Sequence, residues 1–416
     1  MGGDTAGDGE AASGAVVQFL RRLESARVRR GGSSAVVVAA GVATPLGLDL
    51  DTFWSALCTG VDGISTIERF RVDDLRVGRG GEIKKLRAPR KGRLPRCRAS
   101  ALLILAADDL LGRATLPADS ARLAVVVGTA LGGVEEGERA MVERGARVAA
   151  AALYDGPAHA LARRLSARGP VLTVSTACAS GATAMGVGAD LLAANAADLV
   201  VAGGYDVLCR FVMRGFDALR SLTRERVRPF DRRRSGLLLG EAAALVLMAR
   251  EGDAPRPRLG RLLGHASSSD GSHVAAPDPE GRGLAHAVRG ALGAAGVGSD
   301  AVDFVSAHGT GTPLNDRIET AVLRRVLGAR ADAVPVNSIK GALGHTMGAA
   351  ATLEAIMCLL ASRDGVVPGT AGYEEADPAC DLDVRATARA ARSRVSLSTS
   401  LGFGGCNAAL VLEGTA

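Results

Sequence analysis

The sequence predicts an α/β fold laid out as two successive runs of strands and helices, and three observations carry that reading. Short apolar runs at 35–40, 123–128, 171–175, 198–202 and 242–249 have the length and β-branched content of strands, with helical patterns at 102–111 and 182–194 between them. A Pro-rich segment, EGDAPRPRLG at 251–260, then leads into a second succession: strands near 259–266, 302–307, 334–338, 395–400 and 408–413, helices at 284–295, 318–327 and 348–361. Composition is the third observation. The 416 residues are 47% hydrophobic and 23% charged, as in an ordinary globular protein, yet only 3% aromatic and with 54 glycines, so the core must be Ala, Val and Leu packed around small residues.

In chain order, residues 1–34 form an N-terminal extension. Its Gly- and acid-rich start passes into AVVQFLRRLESARVRRGG, which reads as a short basic helix stopped by Gly31 and Gly32, or as a frayed terminus. Residues 35–253 make an N-terminal half and 254–416 a C-terminal half. The two successions have the order expected of structural duplicates, although no sequence repeat links them.

The net charge of +6 comes from scattered arginine clusters at 21–30, 84–98 and 224–234 with little interleaved aromatic character, so nucleic acid is not an expected partner. These clusters read as solvated faces or as a rim for an acidic partner. The seven cysteines show no CxxC pairing and no metal spacing, which fits a reducing compartment and no metal. No apolar run is long enough for a membrane span and the first residues lack a signal core; a soluble, cytoplasmic protein is expected.

One cysteine stands in a different setting from the rest. TVSTACASGATAMG at 173–186 places Cys178 where a β-branched run gives way to small residues that can open a helix. The positive end of that helix would favour thiolate, and Ala177, Ala179 and Gly181 leave room for a carbonyl. A small buried hydrophobe is the plainer reading of a single cysteine. Two histidines shift the balance: His308 in SAHGTGTPLND and His345 in NSIKGALGHTMGAA both follow apparent strands, in turns whose glycines allow close approach to a ligand.

Together with GVATPLG at 41–47, VVAGGYD at 200–206, RPFDRRRSGLLLGE at 228–241 and GFGGCNAALVLE at 402–413, these segments resemble the thiolase superfamily, specifically the elongating β-ketoacyl-acyl carrier protein synthases of fatty-acid and polyketide pathways. The resemblance implies a duplicated thiolase-like fold of five layers, α-β-α-β-α, with two mixed sheets, normally a homodimer. It implies decarboxylative Claisen condensation of a Cys-bound acyl chain with malonyl-acyl carrier protein. No cofactor is implied beyond the phosphopantetheine of acyl carrier protein, the expected partner, which delivers acyl and malonyl thioesters. Cys178 would be the nucleophile, the backbone N–H groups of Cys178 and Phe403 the oxyanion hole, and His308 and His345 the donors to the malonyl oxygen. Lys340, Glu319, Asp316 and Glu354 match charged positions of the family site. Lys340 is expected to pair with Glu319 and so fix His308; Asp316 reads equally as a helix N-cap, and Glu354 as a structural carboxylate on a helix. Phe403 would be a mobile gate with Gly402, Gly404 and Gly405 as hinges.

Three departures from the primary-metabolism pattern, the short stretch 132–170, Ser235 in RRRSG and the wording of AHGTGTPLND, make a polyketide or aryl-polyene type pathway an alternative setting. A chain-length-factor-like partner subunit in a heterodimer, a thiolase using Cys406 as a second cysteine, and a starter-unit synthase are the competing readings. Retention of Cys178 with both histidines argues against the first, and His345 in the third position, where starter synthases carry Asn, against the last.

Overall fold

The computed structural model describes residues 34–117, 120–143, 152–254 and 258–415. The helix expected between 16 and 30 lies outside them. In the first half, β1 (Ala35–Ala43), α1 (Leu50–Cys58), α2 (Arg98–Leu110), β2 (Leu123–Gly128), α3 (Val134–Glu143), α4 (Gly156–Leu165), β3 (Val171–Val174), α5 (Ser180–Ala193), β4 (Leu199–Asp206), α6 (Arg210–Ala218) and β5 (Ala242–Ala249) follow one another. The second half runs β6 (Gly260–Ser269), α7 (Arg282–Ala295), β7 (Phe304–Ser306), α8 (Pro313–Leu327), β8 (Pro335–Asn337), α9 (Lys340–Leu343), α10 (Ala350–Asp364), β9 (Asp383–Val384), β10 (Val395–Gly402) and β11 (Cys406–Gly414).

The sheet order is β9-β8-β7-β10-β11-β6-β1-β5-β4-β2-β3. Read outward from the centre, β1-β5-β4-β2-β3 and β6-β11-β10-β7-β8 have the same connectivity and the same directions, two antiparallel pairs followed by two parallel ones. The duplication absent from the residues is thus present in the topology. The two expected mixed sheets are joined edge to edge, because β1 and β6 pair from Ala35–Leu262 to Val37–Gly260.

Five layers result from where the apolar faces lie. Helices α5 and α10 are sandwiched between the halves, touching β4 and β2 on one side and β11 and β10 on the other. Their sequences match that place: α10 is buried from Ala350 to Ala361 with no polar face, as a helix between two sheets must be. Helices α2 and α4 cover the outer face of the first sheet, and α7 with α8 that of the second. The ten expected strands are all present, two of them (Leu123–Gly128 and Ala242–Ala249) with the expected bounds and the others shifted by one to four residues at an end, while β9 is an addition. Helices α1, α3, α4, α6 and the single-turn α9 go beyond the sequence expectation, since these are short or charge-rich segments. Among the described residues no helix is long and apolar enough to cross a membrane.

Candidate active site

Strand β3 ends at Val174 and α5 begins at Ser180; between them the chain turns so sharply that Ala177 takes φ 50°, a left-handed conformation costly for a residue with a side chain. Ser180 holds the turn, its hydroxyl accepting from Thr176 N–H at 2.9 Å and donating to the Ala177 carbonyl at 2.6 Å. Cys178 sits at the apex, 6% exposed.

The expectation that the helix end would favour thiolate is overturned. Burial pushes the Cys178 thiol up to about 12; the Lys340 charge opposes this, the buried Asp206 adds to it, and the backbone N–H groups of Phe403 and of Cys178 itself oppose it. Desolvation wins because the thiol is walled in by protein on almost every side. A thiol placed there is expected to rest protonated near neutral pH, and alkylation by iodoacetamide should climb steadily with pH past 9. A plateau below pH 8 in a mass-spectrometric rate profile would contradict this.

His308 follows β7. The Glu319 carboxylate on α8 accepts from the backbone N–H of His308 at 2.7 Å and of Gly309 at 2.8 Å, and from the Thr399 hydroxyl at 2.6 Å; burial lifts its carboxyl to about 7. Glu319 thus fixes the His308 backbone directly. The expected Lys340–Glu319 pair does not form: Lys340 Nζ binds Glu354 Oε1 at 2.5 Å, with both side chains no more than 1% exposed. The reason is reach and competition, as α10 brings Glu354 beside α9 while the Glu319 oxygens are taken by backbone and hydroxyl donors. Asp316 is not the N-cap, a position held by Thr312. From the first turn of α8 it instead accepts from Gly311 N–H at 3.2 Å and Phe230 N–H at 2.8 Å, bracing the HGTGT loop against RPFD.

His345 is held through its backbone, its N–H donating to the Leu238 carbonyl at 2.7 Å and its carbonyl accepting from Gly240 N–H at 2.9 Å, which explains the SGLLLGE motif. Its Nδ1 accepts from Met347 N–H at 3.3 Å. The proton must then sit on Nε2, a buried atom without a protein partner among the described residues. The two imidazole rings meet edge to face with centroids 5.2 Å apart. Burial first, then Lys340, holds both well below the usual histidine range, and His345 lowers His308 further; both rings are neutral donors near pH 7.

The GFGG segment is the turn joining β10 to β11. Gly404 and Gly405 have φ 81° and 77°, as hinges require, but Gly402 is extended. Its smallness serves close packing instead: a Cβ there would lie 2.9 Å from the Thr176 carbonyl and 3.1 Å from Cys178 N. Phe403 stacks on Phe216 of α6 with centroids 5.2 Å apart. Cys406 pairs with Gly402 in the hairpin and is absent from the cavity wall. Cys178, His308, His345 and Phe403 line one cavity of 420 Å³, whose wall also includes Leu219, Arg220, Thr310 and Leu314. Sequence reasoning missed Phe216, hidden in a charge-rich stretch, and Asp206, whose only signal was its place at the end of VVAGGYD. In the arginine cluster at 224–234, Arg228, Arg232, Arg233 and Arg234 pair with Glu374, Glu375 and Asp377, while Arg232 and Arg233 stay exposed.

A buried thiol beside two backbone donors, facing two neutral imidazoles across an apolar cavity, defines an acyl-transfer and carbanion-forming centre. The β-ketoacyl synthase N-terminal domain matches residues 33–254 and the β-ketoacyl synthase C-terminal domain residues 259–374. The tetracenomycin polyketide synthase ketoacyl synthase alpha subunit of Streptomyces glaucescens is 37% identical over 411 residues, covering 91% of this chain and 96% of that one. The 3-oxoacyl-[acyl-carrier-protein] synthase 2 of Coxiella burnetii is 30% identical over 404 residues, covering 91% and 98%. Among solved structures, the ishigamide ketosynthase/chain length factor superposes with a TM-score of 0.87 at 30% identity, covering 92% of this chain and 100% of that one. The chain belongs to the β-ketoacyl synthase family. It is an acyltransferase-type condensing enzyme of fatty-acid or polyketide chain elongation.

Proposed function

We propose that this chain is the catalytic subunit of an acyl-carrier-protein-dependent elongation step, with Cys178 holding the growing chain and His308 with His345 generating the nucleophile. The observation that carries the assignment is the convergence of the thiol, the Phe403 N–H and both neutral imidazoles on one cavity. In the first half-reaction the sulfur attacks the incoming thioester, the carbonyl oxygen gathers charge against the N–H groups of Cys178 and Phe403, and the thiol proton leaves with the carrier's thiol. In the second, the malonyl thioester oxygen lies against His308 and the Nε2–H of His345 while the C–C bond to carboxylate breaks, releasing carbon dioxide and leaving an enolate. That enolate attacks the acyl carbon, Cys178 departs as the leaving group, and the β-ketoacyl product stays on its carrier. No step requires a redox or metal partner.

The names of the relatives support the carrier protein as donor and a polyketide-type setting. Cys178 in its elbow favours a catalytic subunit over a chain-length-factor-like one. Intact-mass detection of an acyl adduct from carrier proteins bearing chains of graded length, with carbon dioxide release from malonyl-carrier protein, tests this reading; no adduct with any chain would refute it. Mass measurement in solution, alone and with a chain-length-factor-like subunit, distinguishes homodimer from heterodimer.

The gate gives a further expected result. Phe403 can leave Phe216 by a side-chain rotation or by a movement of the Gly404–Gly405 turn, whose glycines tolerate that change. Phe403→Ala keeps the backbone N–H but removes the barrier, so carbon dioxide released per ketoacyl product should rise several-fold. An unchanged ratio would make Phe403 a packing residue.

A further inference from the structure

Asp206 closes β4 beneath the active site, 0% exposed, and its role is not evident from the chemistry above. Its carboxylate accepts four hydrogen bonds: from the Thr129 hydroxyl at 2.7 Å, Ala130 N–H at 2.8 Å, Leu131 N–H at 3.0 Å and Gly348 N–H at 2.7 Å. The first three belong to the loop after β2. The fourth lies 142 positions away in the chain, in the turn Met347–Ala349, one residue beyond His345.

That turn is under strain and tightly seated. Met347 takes φ 50° although it carries a full side chain, a conformation that persists only where its surroundings hold it. The Gly348 carbonyl presses so close to β4 and α5 that a Cβ on Gly204 would come within 2.0 Å of it and one on Gly181 within 2.6 Å. A Cβ on Gly348 itself would lie 2.7 Å from Asp206 Oδ2. Glycines from three separate motifs therefore let the turn sit on the carboxylate. The strained residue also supplies the N–H that meets His345 Nδ1.

We infer that Asp206 is a positioning residue: by anchoring Gly348 N–H it holds Met347 in its left-handed conformation, and Met347 N–H in turn keeps the His345 proton on Nε2, aimed at the cavity. Released from Asp206, Met347 relaxes, Nδ1 loses its donor, and the neutral ring redistributes between tautomers; the Nδ1–H form presents a lone pair to the enolate oxygen where a donor is needed. Acyl transfer should suffer less. The elbow is held chiefly by bonds from Ser180 to Thr176 N–H and the Ala177 carbonyl, and meets the Asp206 network only through a longer bond, 3.2 Å, from the Ser180 hydroxyl to the Thr129 carbonyl.

This inference rests on the donor role of His345, and its test separates the two. In protein labelled with ¹⁵N-histidine, the ring resonance missing in His345→Ala is assigned to His345; in the wild type it should report protonated Nε2 and acceptor Nδ1. In Asp206→Asn, which keeps the shape but exchanges an acceptor oxygen for a donor, the resonance should move toward a mixture. The kcat for malonyl decarboxylation should then fall tenfold or more while KM and the rate of Cys178 acylation stay within about threefold. Thr129→Val removes one of the four donors at constant volume and should show a smaller change of the same kind, which decides the matter if Asp206→Asn does not fold. A wild-type His345 protonated on Nδ1, or a folded variant with unchanged tautomer and kcat, overturns the role of Asp206. Full decarboxylation in His345→Ala overturns the donor role itself.

Discussion

Cys178→Ala is expected to give a folded protein that forms no acyl adduct and makes no ketoacyl product. Of the seven cysteines only Cys178 lines the cavity, and Cys209 and Cys358 are buried thiols pushed upward by desolvation and out of reach of substrate. Condensation should fall by on the order of 10⁴-fold or more, as for loss of a covalent nucleophile. The cost in stability should be about 1 kcal/mol, typical of a single small truncation, so thermal unfolding should remain cooperative and near the wild-type midpoint. Malonyl decarboxylation should survive in this variant because both imidazoles remain. Intact-mass analysis after incubation with acyl-carrier protein reads the first outcome and carbon dioxide release the second; an adduct at full occupancy would reassign the nucleophile.

His345→Ala is expected to produce the complementary phenotype. The variant should still take an acyl chain onto Cys178, since the acyl oxygen is received by the backbone N–H groups of Cys178 and Phe403. It should lose decarboxylation and condensation by about 10²- to 10³-fold, the usual consequence of deleting one donor to a developing oxyanion. Because burial and Lys340 hold both rings well below the ordinary histidine range, wild-type decarboxylation should show no loss from imidazolium formation between pH 8 and 6, and any loss in that window would instead follow protonation of Glu319, whose carboxyl is lifted to about 7. Single-turnover acylation and carbon dioxide release, measured side by side, separate the two half-reactions. Abolished acylation in a folded His345→Ala protein would place that imidazole in the first half-reaction instead.

The residues that would contact substrate were legible because their signals are local. A β-branched run, a small-residue turn and a helix opening around Cys178 appear within one short stretch of chain, and the same holds for the glycine turns at His308 and His345. The strands were equally readable, since a strand between two packed layers is a short continuous apolar run. Helix α6 was not, and Phe216 went with it: RFVMRGFDA is too short and too charged to stand out, although it supplies the ring that stacks on Phe403.

Side-chain partnership was the weakest part of the sequence reading. Lys340 and Glu319 are a reasonable couple on charge and position, yet Lys340 lies against Glu354 because α10 passes beside α9 in the layer between the sheets. Asp316 looked like a cap and proved to be a clamp on Gly311 and Phe230. The setting of Cys178 at a helix start suggests an activated thiol, whereas its burial pushes the thiol upward, because the energy of desolvating a charge depends on everything packed around it, most of which is remote in the chain.

By itself the sequence determined most of the strand order, the candidate residues Cys178, His308 and His345 and the family to which they belong, all of them properties written in contiguous residues with a characteristic period or turn chemistry. Only the tertiary structure decided that the two halves repeat one connectivity and join through β1 and β6. It also decided which buried charges meet, that Gly402 serves packing while Gly404 and Gly405 turn, and that Asp206 reaches the turn behind His345. Those outcomes depend on distances between segments far apart in sequence and on the water excluded when they close, quantities that come into existence only when the layers pack.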